Sequence, residues 1–214
     1  MAKNNQNTAT RYFTQPNRDK LESVLFAGGV IGMIGFLVGW LTYYWWSSMI
    51  GCYIGGSCII AYIFLTSKKV KDDGYDAHVR EFIEKNSHEP KSSYNLKLFD
   101  CRRGYVKLGK DRKLRSSIYC ISEFDFGRET FDLKVKEIDF CATPDGAPQV
   151  SERSYTFPLG TKTAIEDVEV DAPEGKKTVQ LLVLTPDDGA PVGIPANTNS
   201  CDTDEIIEKI KRRK

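Results

Sequence analysis

Residues 24–67 form a run of 44 positions without Asp, Glu, Lys, Arg or His. A soluble core helix is shorter and keeps a polar face, so this run constrains the chain more than any other feature. Residues 24–46 alone extend about 34 Å as a helix at roughly 1.5 Å per residue, enough to cross a hydrocarbon core of about 30 Å. Ser47 and Ser48 follow, and then a second uncharged run at 49–66, about 27 Å long and near the lower limit for spanning. Two spans with so short a connection predict an antiparallel hairpin over residues 21–67. Its tip, "TYYWWSS" at 42–48, places four adjacent aromatics where an interfacial belt would sit.

Five glycines in "LFAGGVIGMIGFLVGW" first suggest a phosphate loop. They form neither GxGxxG nor GxxxxGK, and the next lysine is Lys68, so no phosphate cradle is expected. Gly28, Gly32, Gly35 and Gly39 are spaced four, three and four apart, and Gly51 and Gly55 repeat the spacing of four in the second run. That places them on one face of each helix, a glycine-zipper pattern that lets backbones approach closely in lipid. Two consequences are open: packing within one hairpin, and association of copies into a homo-oligomer. No ionisable group lies inside either span, which argues against an ion or proton path.

Charge sets the orientation. Arg11, Arg18 and Lys20 flank one end of the hairpin and Lys68, Lys69 and Lys71 the other, while the tip has no basic residue. Positive-inside then predicts a multi-pass protein of the cell membrane with both termini and the C-terminal domain cytoplasmic. The apolar run is too long for a signal peptide and a second span follows it. The chain has 30 basic and 29 acidic residues. In the first 23, Lys3, Arg11, Arg18 and Lys20 outnumber Asp19 and Glu22 by two, so the soluble part is slightly acidic and nucleic acid is not an expected partner. Six cysteines form no CxxC and share no metal spacing with His78 or His88. No metal site and no cofactor are expected, and cytoplasmic thiols stay reduced.

Residues 1–20 read as a flexible polar tail. Residues 68–92 read as a charged linker with a short amphipathic helix. There Tyr75, Val79, Phe82 and Ile83 share one face, Asp76 is placed to cap the start and Pro90 lies beyond the end. From residue 93 to 214 short alternating segments replace the helical period. They predict about seven antiparallel strands separated by turns such as "TPDGAP" and "TPDDGAP". In "FDLKVKEIDFC" the apolar phase slips between Val135 and Ile138, as a bulge would allow. "CDTDEIIEKIKRRK" predicts a final helix, with Asp202 and Glu205 at capping-box spacing and Ile206, Ile207 and Ile210 as its docking stripe. The fold class is therefore α+β: a transmembrane helical hairpin followed by a mostly antiparallel β domain with a C-terminal helix.

The order of these elements, above all "KTVQLLVLTPDDGAPVGIPANTNSCDTDEIIEKIKRRK", resembles a pleckstrin-homology-like (PH-like) domain. A hairpin followed by such a domain is similar to small bacterial membrane proteins with bacterial PH-like domains. The resemblance implies a bent seven-strand sheet plugged at one corner by the last helix. It also draws attention to "LGKDRKLR", which is similar to the basic loop with which some PH domains hold phosphoinositides. Arg102, Arg103, Lys107, Lys110, Arg112, Lys113 and Arg115 are the lipid- or partner-binding candidates.

No nucleophile–base pair is legible. Ser116 and Ser117 lack a His partner, His78 and His88 read as surface residues, and Cys101, Cys120 and Cys141 read as buried apolar positions. The sequence thus predicts a non-enzymatic membrane protein that anchors a β-rich interaction domain for a protein partner. The alternative is a lipid-sensing module that uses the basic segment.

Overall fold

The computed structural model describes residues 7–16, 18–67, 69–86, 94–143, 146–187, 189–197 and 201–212. His88 and Pro90 lie outside the described residues. The chain is α+β and divides into two compact units. One is Thr14–Lys71; the other joins the residues up to Phe13 to those from Asp72 onward.

The first unit is a helical hairpin. After α1 (Thr8–Thr14), whose end enters this unit, α2 (Asp19–Leu41) and α3 (Trp45–Ser67) run side by side. Both are long and apolar enough to cross a membrane. The connection is only Thr42, Tyr43 and Tyr44. Tyr43 takes a left-handed φ of 56°, and the Tyr44 N–H donates to the Gly39 carbonyl (2.8 Å) and the Tyr43 N–H to Trp40 (3.4 Å). This is a Schellman ending with tyrosine where glycine is usual. It shifts two expected boundaries: α2 ends at Leu41 rather than 46, and Trp45 and Trp46 open α3, which has 23 residues rather than 18.

The hairpin packs inside out. Its buried residues are Gly29, Gly32, Gly39, Gly51 and Gly55, while Phe26, Ile31, Trp40, Ile60 and Phe64 point outward. A Cβ on Gly32 would overlap the Gly55 backbone, and one on Gly51 the Phe36 backbone. A Cβ on Gly28 would come within 3.0 Å of Cys58 Sγ, whereas one on Gly35 would lie an ordinary 3.8 Å from Gly51 Cα. Polar contacts join the open end. Lys69 Nζ bridges Asp19 (2.9 Å) and Glu22 (2.8 Å), and Gln15 exchanges two hydrogen bonds with the Val70 backbone.

The second unit has nine strands among the described residues. β1 (Tyr94–Phe99), β4 (Ile118–Phe126), β5 (Thr130–Asp139) and β6 (Gln149–Pro158) make an antiparallel sheet in that order. β2 (Val106–Leu108) and β3 (Leu114–Ser116) form a separate hairpin. β7 (Lys162–Ala172), β8 (Gly175–Thr185) and β9 (Val192–Ala196) make a third antiparallel sheet. The continuous run 114–126 divides at Ser117 into β3 and β4. The Ser117 N–H donates to the Tyr105 carbonyl (2.8 Å) and its Oγ accepts the Tyr105 N–H (3.0 Å), which ends one sheet and starts another.

The bulge expected in β5 is absent. Its register runs unbroken against both β4 and β6. The apolar phase changes because the strand is buried on both faces in turn. Phe131, Leu133 and Val135 face the main core, whereas Ile138 lies on the opposite face, opposite Tyr119. That second face is covered at one end by α4 (Asp72–Asn86), where Tyr75 stacks on Phe99 and Phe82 meets Phe140 edge-on. The linker helix thus packs on the β unit as its apolar face predicts, but it starts at Asp72. Asp76 is therefore an interior residue and not the cap. The main core joins Phe124, Phe131 and Leu133 to Leu182, Leu184 and Ile194. α5 (Cys201–Lys211) closes it with Ile206 and Ile210, both fully buried. Since α5 begins at Cys201, Asp202 lies in its first turn rather than ahead of it.

The N-terminal tail needs correction. Residues 8–14 are helical, and Ala9 and Tyr12 are completely buried on the β unit. Burial of an aromatic pair supplies what polar composition hid: Tyr12 stacks flat on Tyr75, with centroids 4.6 Å apart and planes at 4°.

Candidate functional site

The basic segment divides into three places. The turn after β1 holds Arg102 and Arg103. Asp100, fully buried, accepts from Arg102 Nε (2.9 Å) and Nη2 (2.8 Å), while Arg102 Nη1 donates to the Gly193 carbonyl (3.0 Å). Arg103 reaches Glu137 at 2.6 Å and Asp100 at 3.5 Å. Burial works against the Asp100 charge, but the Arg102 hydrogen bonds outweigh it and hold the carboxyl below its ordinary value. Both arginines are fastened to the fold through carboxylates.

The second place is a cage beneath the β2–β3 hairpin. Arg115 is 1% exposed. Its guanidinium grips Asp76 on α4 through Nε (2.8 Å) and Nη2 (2.7 Å), and Asp111 through Nη1 and Nη2 (both 2.8 Å). Hydrogen bonds from Arg115 hold the Asp111 carboxyl far below its ordinary range. Gly109 is needed here, because a Cβ would overlap the Arg115 guanidinium and come within 2.6 Å of Asp111 Oδ1. Asp72 completes the cage. It accepts from the Tyr12 hydroxyl (2.8 Å) and from the Lys110 N–H (2.7 Å). Lys107 donates to the Tyr12 carbonyl (3.1 Å) with its ammonium 4.4 Å from that ring. Burial, reinforced by Asp72, raises the Tyr12 hydroxyl above its ordinary pKa. Arg115 and Lys107 therefore serve the interior, and they tie α1 and α4 to the hairpin.

The third place is the hairpin tip, where Lys110, Arg112 and Lys113 are exposed. The Arg112 N–H donates to Gly109 (3.0 Å) and the Gly109 N–H to Lys113 (2.9 Å), and Arg112 has a φ of 62°. This is a type I turn followed by a left-handed residue, a position that glycine or asparagine fills at least strain. The seven expected binding residues are thus brought into one neighbourhood of sequence but not into one open cationic face.

Sequence reasoning missed Tyr12, Tyr75, Asp72, Asp76 and Asp111 as parts of this region. The legible signal was "RYFT" in an otherwise polar tail. Ser116 and Ser117 are buried and bonded to backbone: Ser116 Oγ donates to the Arg103 carbonyl (3.2 Å) and accepts the Ile118 N–H (3.1 Å). His78 is half-buried and edge-on to Phe140 (5.8 Å), and burial lowers its pKa. Cys101 and Cys120 are buried. Burial pushes the Cys101 thiol up to about 12 and the Cys120 thiol to about 11, so neither is an activated nucleophile at neutral pH.

A trough lies along β1. One cavity of about 970 Å³ is lined by Val79 and Ile83 of α4, by Leu98 and Phe99, and by Leu114 of β3. A second, of about 610 Å³, shares Leu98, Phe99, Leu114 and Asn197 with it and continues to Leu181 and Pro195 of the third sheet. Comparison with protein-family models, curated proteins and solved structures finds no match for this chain.

Proposed function

We propose that this chain is a non-enzymatic integral membrane protein whose hairpin anchors a β-rich interaction domain on the cytoplasmic side. One observation carries the anchoring. Among the described residues, every exposed large apolar side chain except Tyr105 and Val150 belongs to residues 21–64. A surface so apolar is incompatible with water and matches lipid. The flanking basic residues support the orientation. Element order supports a PH-like β unit: four strands, three strands and a closing helix remain when the β2–β3 hairpin is taken as an insertion after the first strand. The glycine seam leaves homo-oligomerisation as an addition, with Gly56 facing open space on α3.

Alkaline carbonate treatment of membranes tests the anchor: the full chain should stay in the pellet, and release into the supernatant would refute it. A photo-crosslinking residue scanned over the β unit in intact membranes should join a partner protein, and silence at every position would refute the interaction role. The lipid-sensing alternative rests on the strained, exposed Arg112 between Lys110 and Lys113. Near an anionic bilayer each such cation adds about 1 kcal/mol. It predicts that Lys110→Ser, Arg112→Ser and Lys113→Ser together reduce protection of the hairpin tip from protease in anionic nanodiscs. Unchanged protection would exclude it.

A further inference from the structure

Phe131, Leu133 and Val135 of β5 face the main core, and Glu137 is the next member of that row. The period of two calls for an apolar residue there. A carboxylate stands at the end of the core instead, its side chain only 13% exposed. Charged groups are almost never buried unless paired, and two arginines meet this one. Arg103, from the turn after β1, reaches Oε1 at 2.6 Å, and Arg153 on β6 stands 3.7 Å from Oε2. Arg103 alone pairs the charge, so Arg153 adds a second cation to an acid already matched. The register sets Arg153 opposite Val135 and Tyr155 opposite Leu133, so both β6 side chains share the face of that row. A cavity of about 300 Å³ opens here, at the small end of the range for ligand pockets. Arg103, Glu137, Arg153 and Tyr155 line it, and Val135, Val192 and Ile194 supply its apolar part.

Charge selects the ligand. Arg102 also lines the cavity, but its Nε and Nη2 are committed to Asp100 and its Nη1 to the Gly193 carbonyl. Among the described lining residues, Arg103 and Arg153 against Glu137 leave one positive charge. The side chains of Arg103 and Arg153 are 48% and 55% exposed, and each guanidinium has five N–H donors, more than Glu137 takes up. A planar monoanion matches one excess charge and two planar forks, whereas a phosphate dianion brings more negative charge than these residues offset. We propose that this cavity binds a carboxylate carried on a compact apolar group, as an N-acyl amino acid presents it, free or as the last residue of a chain. The carboxylate accepts from Arg103 and Arg153, and the apolar group rests on Val135, Val192 and Ile194 beside the Tyr155 ring.

The test uses the full chain in lipid nanodiscs, with empty nanodiscs as the blank, and N-acetyl-leucine titrated by saturation-transfer NMR. Binding should saturate at about millimolar concentration or below, and N-acetyl-leucine amide should not compete. Arg153→Gln should weaken it about tenfold. The Arg153 side chain is exposed and stands beyond hydrogen-bonding distance of Glu137, so the fold tolerates the change, and an unaltered thermal midpoint checks this. Val192→Phe, which fills the apolar part, should abolish binding while leaving the charges in place. No saturation below about 10 mM, equal binding of acid and amide, inorganic phosphate binding as tightly as the acid, or indifference to Arg153→Gln would each overturn the site. A peptide of eight residues ending in a free leucine carboxylate distinguishes the sources. A chain terminus makes it at least about tenfold tighter than N-acetyl-leucine, a free small acid makes it equal or weaker, and both results uphold a carboxylate site. The site does not depend on the interaction role: carboxylate binding with no partner crosslinked to the β unit would refute that role and leave the site standing.

Discussion

Four hydrogen bonds hold the Arg115 guanidinium between Asp76 and Asp111, and at the residue scale this cage is where the β unit is most sensitive. Removing Arg115 leaves Asp76 and Asp111, both partly exposed, repelling each other without the guanidinium that joins them. Arg115→Met should therefore speed hydrogen exchange in α4 and the β2–β3 hairpin together, because Asp76 and Asp111 lie one on each. Gly109→Ala should do the same, since the added methyl occupies the place of the guanidinium. Arg112→Gly should act in the opposite sense and raise hairpin stability by about 1 kcal/mol, read as slower exchange at the tip. Sequence alone exposed Arg115 only as one of a row of cations. Its burial depends on two aspartates, Asp76 and Asp111, 39 and 4 positions away, and the first lies on a different element, α4.

At the element scale, the two apolar helices and the final helix were legible because each has a strong local pattern. The glycine spacing suggested a close approach of the two helices; what it did not reveal is which glycines lie deepest in the contact, Gly32, Gly51 and Gly55. Gly32→Ala should lower the thermal stability of the detergent-solubilised chain, since the new methyl meets the Gly55 backbone; Gly56→Ala should not, as nothing lies within 4 Å of it. Light-scattering midpoints of the two variants would decide. α5 gives a parallel case. Ile206 is fully buried in the core, so Ile206→Ala should cost about 2–5 kcal/mol, measured as exposure of α5 amides. The bulge expected in β5 failed for an instructive reason: a change of apolar phase has two causes, an extra residue or a change of buried face. Only the covering helix α4 distinguishes them.

The whole molecule should have its stability maximum between neutral pH and about pH 9. On the acid side, Asp100 and Asp111 have folded values depressed from 3.8, and His78 is depressed from 6.5. Their contributions are full above those unfolded values and are lost as pH falls through the folded ones. On the alkaline side, Cys120 and Cys141 are raised from 9.0 to about 11 by burial. The unfolded chain loses those protons first, so stability declines as pH rises from 9 toward 11. Calorimetric midpoints across pH 3–11 check both limbs, and a midpoint that rises above pH 9 would contradict the second.

What the sequence determined by itself is whatever can be read within one turn or one strand. The uncharged length of residues 24–67 gives two helices long and apolar enough to cross a membrane, the period of two after residue 93 requires strands, and the isoleucine stripe of the last helix requires a core to dock on. Tertiary structure decided the rest. It drew residues 8–13 out of an apparent tail and stacked Tyr12 on Tyr75. It turned Arg115 of the basic segment inward against Asp76, 39 positions away, and it paired β1 with β4 across the intervening β2–β3 hairpin. The physical reason is common to all three. Burial, ion pairing and strand partnership are relations between residues far apart in the chain, and each becomes favourable only once the fold has brought both members together.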